Sequence, residues 1–444
     1  MADLETAATE AYVYAFPLVF DLDQVNRFVT TGVGANPAAP FNTFSHARTL
    51  AGPADTFVSI NNDTVYSMAQ VDLSVGPVLL TVPPTGGRYH VLQLVDAWTN
   101  NFGYIGRRAT GVDGGEFLLV PPDWDGPSPA GATVVRFPTR IASIVGRWAV
   151  DGPDDLPAVH ALQDATTLTP LLRSLAPPDG LPGTTETGDE ALDFWERYRV
   201  WSQAFPPARR DVALQESFAP LGLTGSMPVS SLSTEQQAAL RAGFALGRTT
   251  LEKILTSGSI PEVNGWRMTL HVFDYSLDFF EVGALDDPAW KIADPQTRIG
   301  ERAAAALGGL WGNHGYEAAY LMTYVDGDGR PLDGAHTYTL RLAPPPPVAG
   351  FWSVTMYDVP DYFLVDNPIS RYSIGDRTPG LVHDADGGIT LTLAHEAPED
   401  PTARANWLPT PPGRFRPLLR MYVPSGDVLD GTWEVPPVVR ADPA

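Results

Sequence analysis

Leu79-Leu80-Thr81-Val82-Pro83-Pro84, then Gly87-Arg88-Tyr89-His90-Val91-Leu92-Gln93-Leu94-Val95-Asp96, recurs later in the chain. The second occurrence is Tyr338-Thr339-Leu340-Arg341-Leu342-Ala343-Pro344-Pro345, then Gly350-Phe351-Trp352-Ser353-Val354-Thr355-Met356-Tyr357-Asp358. Each copy continues into an Ile-Gly element with an arginine, Ile105-Gly106-Arg107 and Ile374-Gly375-Asp376-Arg377. Each then shows a Gly-Gly turn (Gly114-Gly115, Gly387-Gly388). A Trp, a Pro-x-Gly turn and a last strand follow (Trp124, Pro129, Gly131, Phe137; Trp407, Pro411, Gly413, Tyr422). A repeat spaced this far apart signals a duplicated domain rather than a solenoid.

Working outward, residues 4–30 have helical spacing, with Pro17 expected to break or kink the run. Residues 40–150 alternate short apolar runs with Gly/Pro turns, as strands do. Residues 155–310 change character. Phe194, Trp195, Tyr198 and Trp201 share a helical face. Ser233 and Gln236 have capping-box spacing. Leu240, Phe244, Leu251 and Leu255 form an amphipathic stripe. Strands return over 320–440. The expected fold is mainly β with a helical insert: a duplicated β-sandwich, double jelly-roll-like, each copy about 100 residues long. The expected boundaries are an N-terminal helical segment (1–39), a first β-domain (40–154), a mainly helical insert (155–315) and a second β-domain (316–444).

Composition excludes several functions. The 444 residues carry a net charge of −23, which repels phosphate backbones and argues against nucleic-acid partners. There is no cysteine, so thiol nucleophiles, disulfides and cysteine metal sites are absent. Met1-Ala2-Asp3-Leu4-Glu5 has neither a basic nor an apolar leader region, and no apolar run is long enough for a membrane span. The expectation is a cytoplasmic protein without a membrane partner.

Asn61-Asn62-Asp63-Thr64-Val65-Tyr66-Ser67, Asp72-Leu73-Ser74, Asp96-Ala97-Trp98-Thr99-Asn100 and Ile105-Gly106-Arg107 resemble the signature of domain of unknown function 1254. Phe351 to Asp358, Asn367-Pro368-Ile369, Arg371 to Arg377 and Asn406-Trp407-Leu408-Pro409 resemble its usual partner, domain of unknown function 1214. The resemblance implies a double jelly-roll architecture and a homo-oligomer, often a trimer. It implies no settled activity.

The sharpest polar cluster is Asn61 to Tyr66, which has no visible counterpart in the second copy. An Asx turn before a strand accounts for it structurally. Functionally, Asp63 would be a base, with Tyr66 on the strand beyond it and Asn62 contacting substrate. Asp96 and Arg107 complete the candidate catalytic set. They either clamp a loop or line a pocket mouth, where an arginine holds a carboxylate or carbonyl. Trp98, Asn100, Arg371, Tyr372 and Trp201 are candidate substrate-binding residues. The loop of Asn367, Arg371 and Tyr372 otherwise reads as tied down by internal hydrogen bonds.

The eight histidines are scattered, and His314 with Glu317 is a bare i, i+3 pair, so no metal is expected. Asp326-x-Asp328-Gly329 lacks the later oxygens of a calcium loop and reads as a turn. No nucleotide or nucleophile-elbow motif occurs, so no cofactor is expected. Two functions remain. One is a cofactor-independent enzyme working on a small, largely apolar molecule by acid–base chemistry. The other is a non-enzymatic oligomeric ligand-binding or structural protein with a capsid-like double jelly roll.

Overall fold

The structure is a computed structural model and describes residues 2–55, 59–171, 177–257 and 260–441. The first β unit contains β1 (Phe44–His46), β2 (Thr64–Asp72), β3 (Val78–Val82), β4 (His90–Asp96), β5 (Asn101–Gly106), β6 (Gly115–Val120), β7 (Thr133–Arg136), β8 (Ile141–Ala149) and β9 (Thr167–Pro170). Its large sheet has the order β1-β2-β8-β4-β5 and its small sheet β7-β6-β3-β9. The second unit contains β10 (Glu262–Val263), β11 (Trp266–Met268), β12 (Ala318–Thr323), β13 (Tyr338–Leu342), β14 (Trp352–Asp358), β15 (Ser373–Gly375), β16 (Ile389–Ala394), β17 (Trp407–Pro409), β18 (Phe415–Tyr422) and β19 (Val439–Arg440). Its sheets are β10-β11-β12-β18-β14-β15 and β17-β16-β13-β19.

Adding ten to each label of the first unit reproduces the second, with β10 as an additional edge. The correspondence extends to register. Asp96 closes β4 opposite Ala142, and Asp358 closes β14 opposite Phe415. Both small sheets include one parallel pair, β6 with β7 and β16 with β17. The small sheets are therefore mixed and the large sheets antiparallel throughout, whereas jelly rolls are built from antiparallel strands alone. The Gly-Gly turns are one residue out of step. Gly115 faces Val82, but Ile389, the residue after Gly388, faces the equivalent Leu342.

The recurring Ile-Gly element has a steric cause. A Cβ on Gly106 would lie 2.3 Å from the His90 carbonyl oxygen, and one on Gly375 would lie 2.1 Å from that of Trp352. Those carbonyls belong to equivalent residues of β4 and β14. Each hairpin closes only if its second strand carries no side chain there.

Each unit encloses its own core between its two sheets. Val65, Leu92, Leu94 and Ile144 of the first large sheet meet Val78, Leu80, Phe117 and Leu119 of the small one. Leu321, Val354, Met356 and Leu419 meet Leu340, Leu342, Leu391 and Leu393 in the second unit. At about 25 cal/mol per Å² of apolar surface, such two-layer burial is the main stabilising term.

The α-helices that precede β12 are α1 (Ala2–Thr30), α2 (Leu156–Ala165), α3 (Glu190–Ala204), α4 (Val212–Ser217), α5 (Thr234–Ser257) and α6 (Pro295–Gly308), the last between β11 and β12. α1 runs through Pro17 without ending. α1, α3, α5 and α6 share a core that includes Tyr12, Leu18, Trp195, Tyr198, Leu240, Leu251 and Ala303, with Phe244 packed against it. The expected stripe on α5 thus faces inward, except that Leu255 is exposed. Ser233 and Gln236 form the expected capping box: Ser233 N donates to Gln236 Oε1 (3.2 Å), and Gln236 N donates to Ser233 Oγ (3.2 Å). α1 approaches α5 closely at Gly243 and Gly247, where a Cβ would strike Ala8 and Tyr12 at 2.4 and 2.5 Å.

Residues 155–315 are not uniformly helical. β9 completes the first small sheet against β3, and β10 and β11 extend the second large sheet through β12. Among the described residues no helix is long and apolar enough to cross a membrane.

Candidate functional site

The residues singled out in the sequence separate into distinct places. Asp63 and Tyr66 lie in a polar seam between the two β units. Asp63 Oδ2 accepts from Ser353 Oγ (2.6 Å) and Tyr422 Oη (3.2 Å), both of the second unit. Asn61 Oδ1 accepts from Asp63 N (2.6 Å), which is the expected Asx turn. Asn62 Nδ2 donates to Ala51 O (2.5 Å). Tyr66 sits opposite Arg147 on β8, whose guanidinium lies 5.4 Å from the tyrosine ring.

The expectation that this segment lacks a counterpart is corrected by the strand register. Thr64 pairs with Ala149, and Ala318 pairs with Tyr422. Trp148 and Met421 face the equivalent residues His90 and Trp352, so Ala149 and Tyr422 are equivalent too. Asp63 therefore corresponds to Glu317, Tyr66 to Tyr320, and Arg147 to Arg420. The backbone repeats the match: Val150 N donates to Asp63 O (3.1 Å) and Val423 N to Glu317 O (2.9 Å). The residue types around the two carboxylates differ, which hid the equivalence.

Glu317 reaches the other way. It accepts from Tyr89 Oη (3.1 Å) and Arg108 Nε (2.5 Å) of the first unit. Burial raises its pKa despite Arg108. His314, three residues earlier, turns to Tyr104 Oη (2.7 Å) instead, and burial lowers its pKa to about 3. His314 and Glu317 thus serve different partners.

Asp96 lies elsewhere, where the first unit meets the helices. Its Oδ1 accepts from Trp98 N (2.9 Å) and Asn100 N (2.8 Å), and its Oδ2 accepts from Asn100 Nδ2 (2.9 Å). This turn carries Thr99 at a φ of 65° and drives Trp98 into the helical layer. There the indole lies 5.2 Å from the Tyr14 ring and donates to Phe205 O (2.8 Å). Asn100 Oδ1 accepts from Arg302 Nη2 of α6 (2.5 Å), linking Asp96 to a buried guanidinium through one amide. Arg302 also lies 5.2 Å from the Tyr275 ring. One turn earlier on α6, Arg298 donates to Asp211 from both terminal nitrogens (3.2 and 2.8 Å).

Among the described residues, five polar atoms in this cluster have no hydrogen-bond partner: Tyr14 Oη, Thr99 Oγ1, Tyr198 Oη, Arg298 Nε and Arg302 Nε. Tyr14, Arg298 and Arg302 are only 3%, 4% and 7% exposed. Burying a polar atom unpaired costs about 1–3 kcal/mol, so such a concentration marks a place for water or a ligand. The charges of Asp211, Arg302 and Arg298 all act on the Tyr14 hydroxyl. Tyr198 and Phe218 flank its ring. Burial lifts the Asp96 pKa to about 6, against the pull of Asn100, Arg302 and Trp98. Burial also lifts Asp21, which accepts from Trp311 Nε1 (2.6 Å), well above the usual carboxylate range. Tyr275 is raised to about 12 for the same reason.

Outside this cluster lies a groove of about 600 Å³, lined by Trp124, Arg140, Phe205, Pro206, Arg209 and Phe279, among others. The segment 204–209 forms part of its wall. The same segment supplies the Phe205 carbonyl that holds Trp98 and leads directly to Asp211.

The remaining candidates stand apart. Arg107 is at the surface, with Nη1 on Gly87 O (2.5 Å), and it makes no pair with Asp96. Arg371 Nη1 holds the carbonyls of Ala405 (3.0 Å) and Trp407 (2.9 Å), and its loop is tied down by Asn367. Tyr372 packs at the second unit, near Tyr357 and Leu364. Trp201 belongs to the helical core and donates to Pro182 O (3.0 Å). Asp326 Oδ1 accepts from Asp328 N (3.0 Å) and Arg330 N (2.9 Å), which makes that segment a turn.

Tyr14, Asp21, Arg298 and Arg302 were missed in the sequence. The available signal was two arginines four apart on an otherwise Ala-rich helix, where a charge on the packed face needs a reason.

The model of "Protein of unknown function (DUF1254)" matches residues 41–170, and that of "Protein of unknown function (DUF1214)" matches residues 317–426. No curated protein matches the chain. Among solved structures, the VPA0106 protein of Vibrio parahaemolyticus is similar over 99% of this chain and 100% of its own, with a TM-score of 0.74 and 23% identity. An uncharacterised protein of Burkholderia cenocepacia matches with a TM-score of 0.45 and 14% identity, over 98% of this chain and 88% of its own. The first likeness shows the shared fold. The chain belongs to the proteins that carry domain of unknown function 1254 followed by domain of unknown function 1214.

Proposed function

We propose that the protein is a cofactor-independent enzyme that acts on a small, largely apolar organic molecule by acid–base chemistry at the Asp96 cluster. The observation that carries this is that Tyr14 Oη, Arg298 Nε and Arg302 Nε are buried without partners, with both arginine charges acting on Tyr14 and Arg302 joined to buried Asp96 through Asn100. Asp96 has a pKa of about 6, close to what a general base or acid needs near neutral pH. Tyr14, Trp98, Tyr198 and Phe218 supply an aromatic wall for an apolar body. In this proposal Asp96 moves the proton, and Arg302, coupled to it through Asn100, stabilises developing negative charge. Asp63, Tyr66 and Arg107 lie outside the cluster and have no chemical role in it.

The test incubates the whole chain in deuterium oxide with a panel of small aromatic and aliphatic carbon acids and reads deuterium uptake by mass spectrometry. Uptake that is lost in Asp96→Asn, with binding retained, supports the proposal. Uptake equal in both proteins removes Asp96 from the chemistry.

The proposal places this activity in a cytoplasmic homo-oligomer of double jelly-roll-like subunits. Two units of one strand order in one chain support the duplicated part of that description. Sedimentation equilibrium tests the oligomer, with a trimer expected.

A further inference from the structure

We infer that the ligand of the Asp96 cluster carries a carboxylate, and that Arg302 receives it. This inference rests on the proposed site and names its substrate class. Among the described residues, buried Arg298 and Arg199 face Asp211 and Glu196 directly, whereas buried Arg147, Arg416 and Arg420 are held by neutral groups. Arg302 likewise has no carboxylate within ion-pair distance among the described residues, and it differs in sharing its cluster with a second unpartnered donor, Tyr14 Oη. Its Nη2 is satisfied by the neutral Asn100 Oδ1 and the Tyr275 carbonyl (3.4 Å), while its Nε has no partner.

The Nε edge of a guanidinium, Nε together with Nη2, is a planar fork that fits a carboxylate; in Arg302 the Nε is open, and Nη2 would exchange its long contact to the Tyr275 carbonyl (3.4 Å) for the second carboxylate oxygen. The Tyr14 hydroxyl, also unpartnered and subject to the charges of Asp211, Arg302 and Arg298, is a further donor of the kind a carboxylate oxygen accepts. The aromatic rings of Tyr14, Trp98, Tyr198 and Phe218 then face the apolar remainder. A small aryl or alkyl carboxylic acid combines both requirements, whereas a neutral hydrocarbon would leave the Arg302 edge unpaired.

The test titrates the whole chain calorimetrically with benzoate, phenylacetate and hexanoate, and in parallel with benzamide, phenylacetamide and hexanamide. The expected result is that one acid binds roughly ten- to a hundredfold more tightly than its amide, the range for a hydrogen bond to a charged group. Arg302→Met, shown to be folded by circular dichroism, should abolish that preference. Arg302→Lys, which keeps the charge without the fork, should retain only part of it and serves if the methionine variant does not fold. Equal affinity for acid and amide, or a preference that survives both variants, overturns the carboxylate inference and leaves the site itself standing. Absence of binding by every acid and every amide overturns both.

Discussion

Asp63 and Glu317 occupy the same register position in the two β units, and each carboxylate crosses the seam to the opposite unit. Asp63 accepts from Ser353 and Tyr422, and Glu317 from Tyr89 and Arg108. The duplication thus supplies two sheets of one topology together with a reciprocal fastening between them. A buried carboxylate that accepts two such bonds is costly to mismatch, because its donors are left unsatisfied when it changes.

Glu317→Gln should lower stability by about 1–3 kcal/mol, since its two oxygens take separate donors and one would then face an amide nitrogen; Asp63→Asn, whose two donors share Oδ2, should lower it by less, through loss of the charge they meet. Thermal melts of the two variants check this. Glu317→Gln should be the more damaging, because it also strips Arg108 of its carboxylate partner. Wild-type midpoints in both variants would remove the fastening role.

Gly106→Ala and Gly375→Ala should destabilise by similar amounts, about 1–3 kcal/mol each, by forcing a methyl group against a backbone carbonyl. Gly87→Ala tests backbone conformation alone, because its φ is 89° and nothing lies within 4 Å of its would-be Cβ. It should cost less. Equal melting points for Gly106→Ala and the wild type would sever the link between the Ile-Gly repeat and hairpin closure.

Asp96 makes stability depend on pH with a definite sign. Its folded pKa of about 6 is raised, so the folded state binds the proton more tightly than the unfolded chain. That contribution is fully present below the ordinary carboxylate pKa and is lost as pH rises through about 6. Relative to Asp96→Asn, the wild type should lose on the order of 2–3 kcal/mol between about pH 4 and 7. Subtracting the two melting profiles cancels the other carboxylates. A flat difference contradicts the raised pKa.

Much of this fold was legible because repetition and periodicity are local signals. The Ile-Gly elements, the Ser233–Gln236 box and the α5 stripe each declare themselves within a few residues. β9, β10 and β11 did not, because strands of two to four residues are defined by the neighbours they pair with, such as β3 and β12. The Asp63–Glu317 equivalence was hidden for a related reason. Aspartate and glutamate differ in length, the flanking Asn61-Asn62 and Gly315-Tyr316 differ in kind, and only the ladder register aligns them. The candidate site was half visible. Asp96, Trp98 and Asn100 are contiguous, whereas Tyr14, Arg298 and Arg302 arrive from helices far away in sequence and meet them only through tertiary packing.

In the proposed site the unpartnered atoms of Tyr14, Arg298 and Arg302 face a ligand position. A high-resolution crystal structure of the whole chain, purified without added ligand, tests it most directly. The expected result is non-protein density, water or a small molecule, within hydrogen-bond distance of Tyr14 Oη and Arg302 Nε, next to the Asp96–Asn100 turn. Close packing with those two atoms bonded to protein groups and no density between them would contradict it.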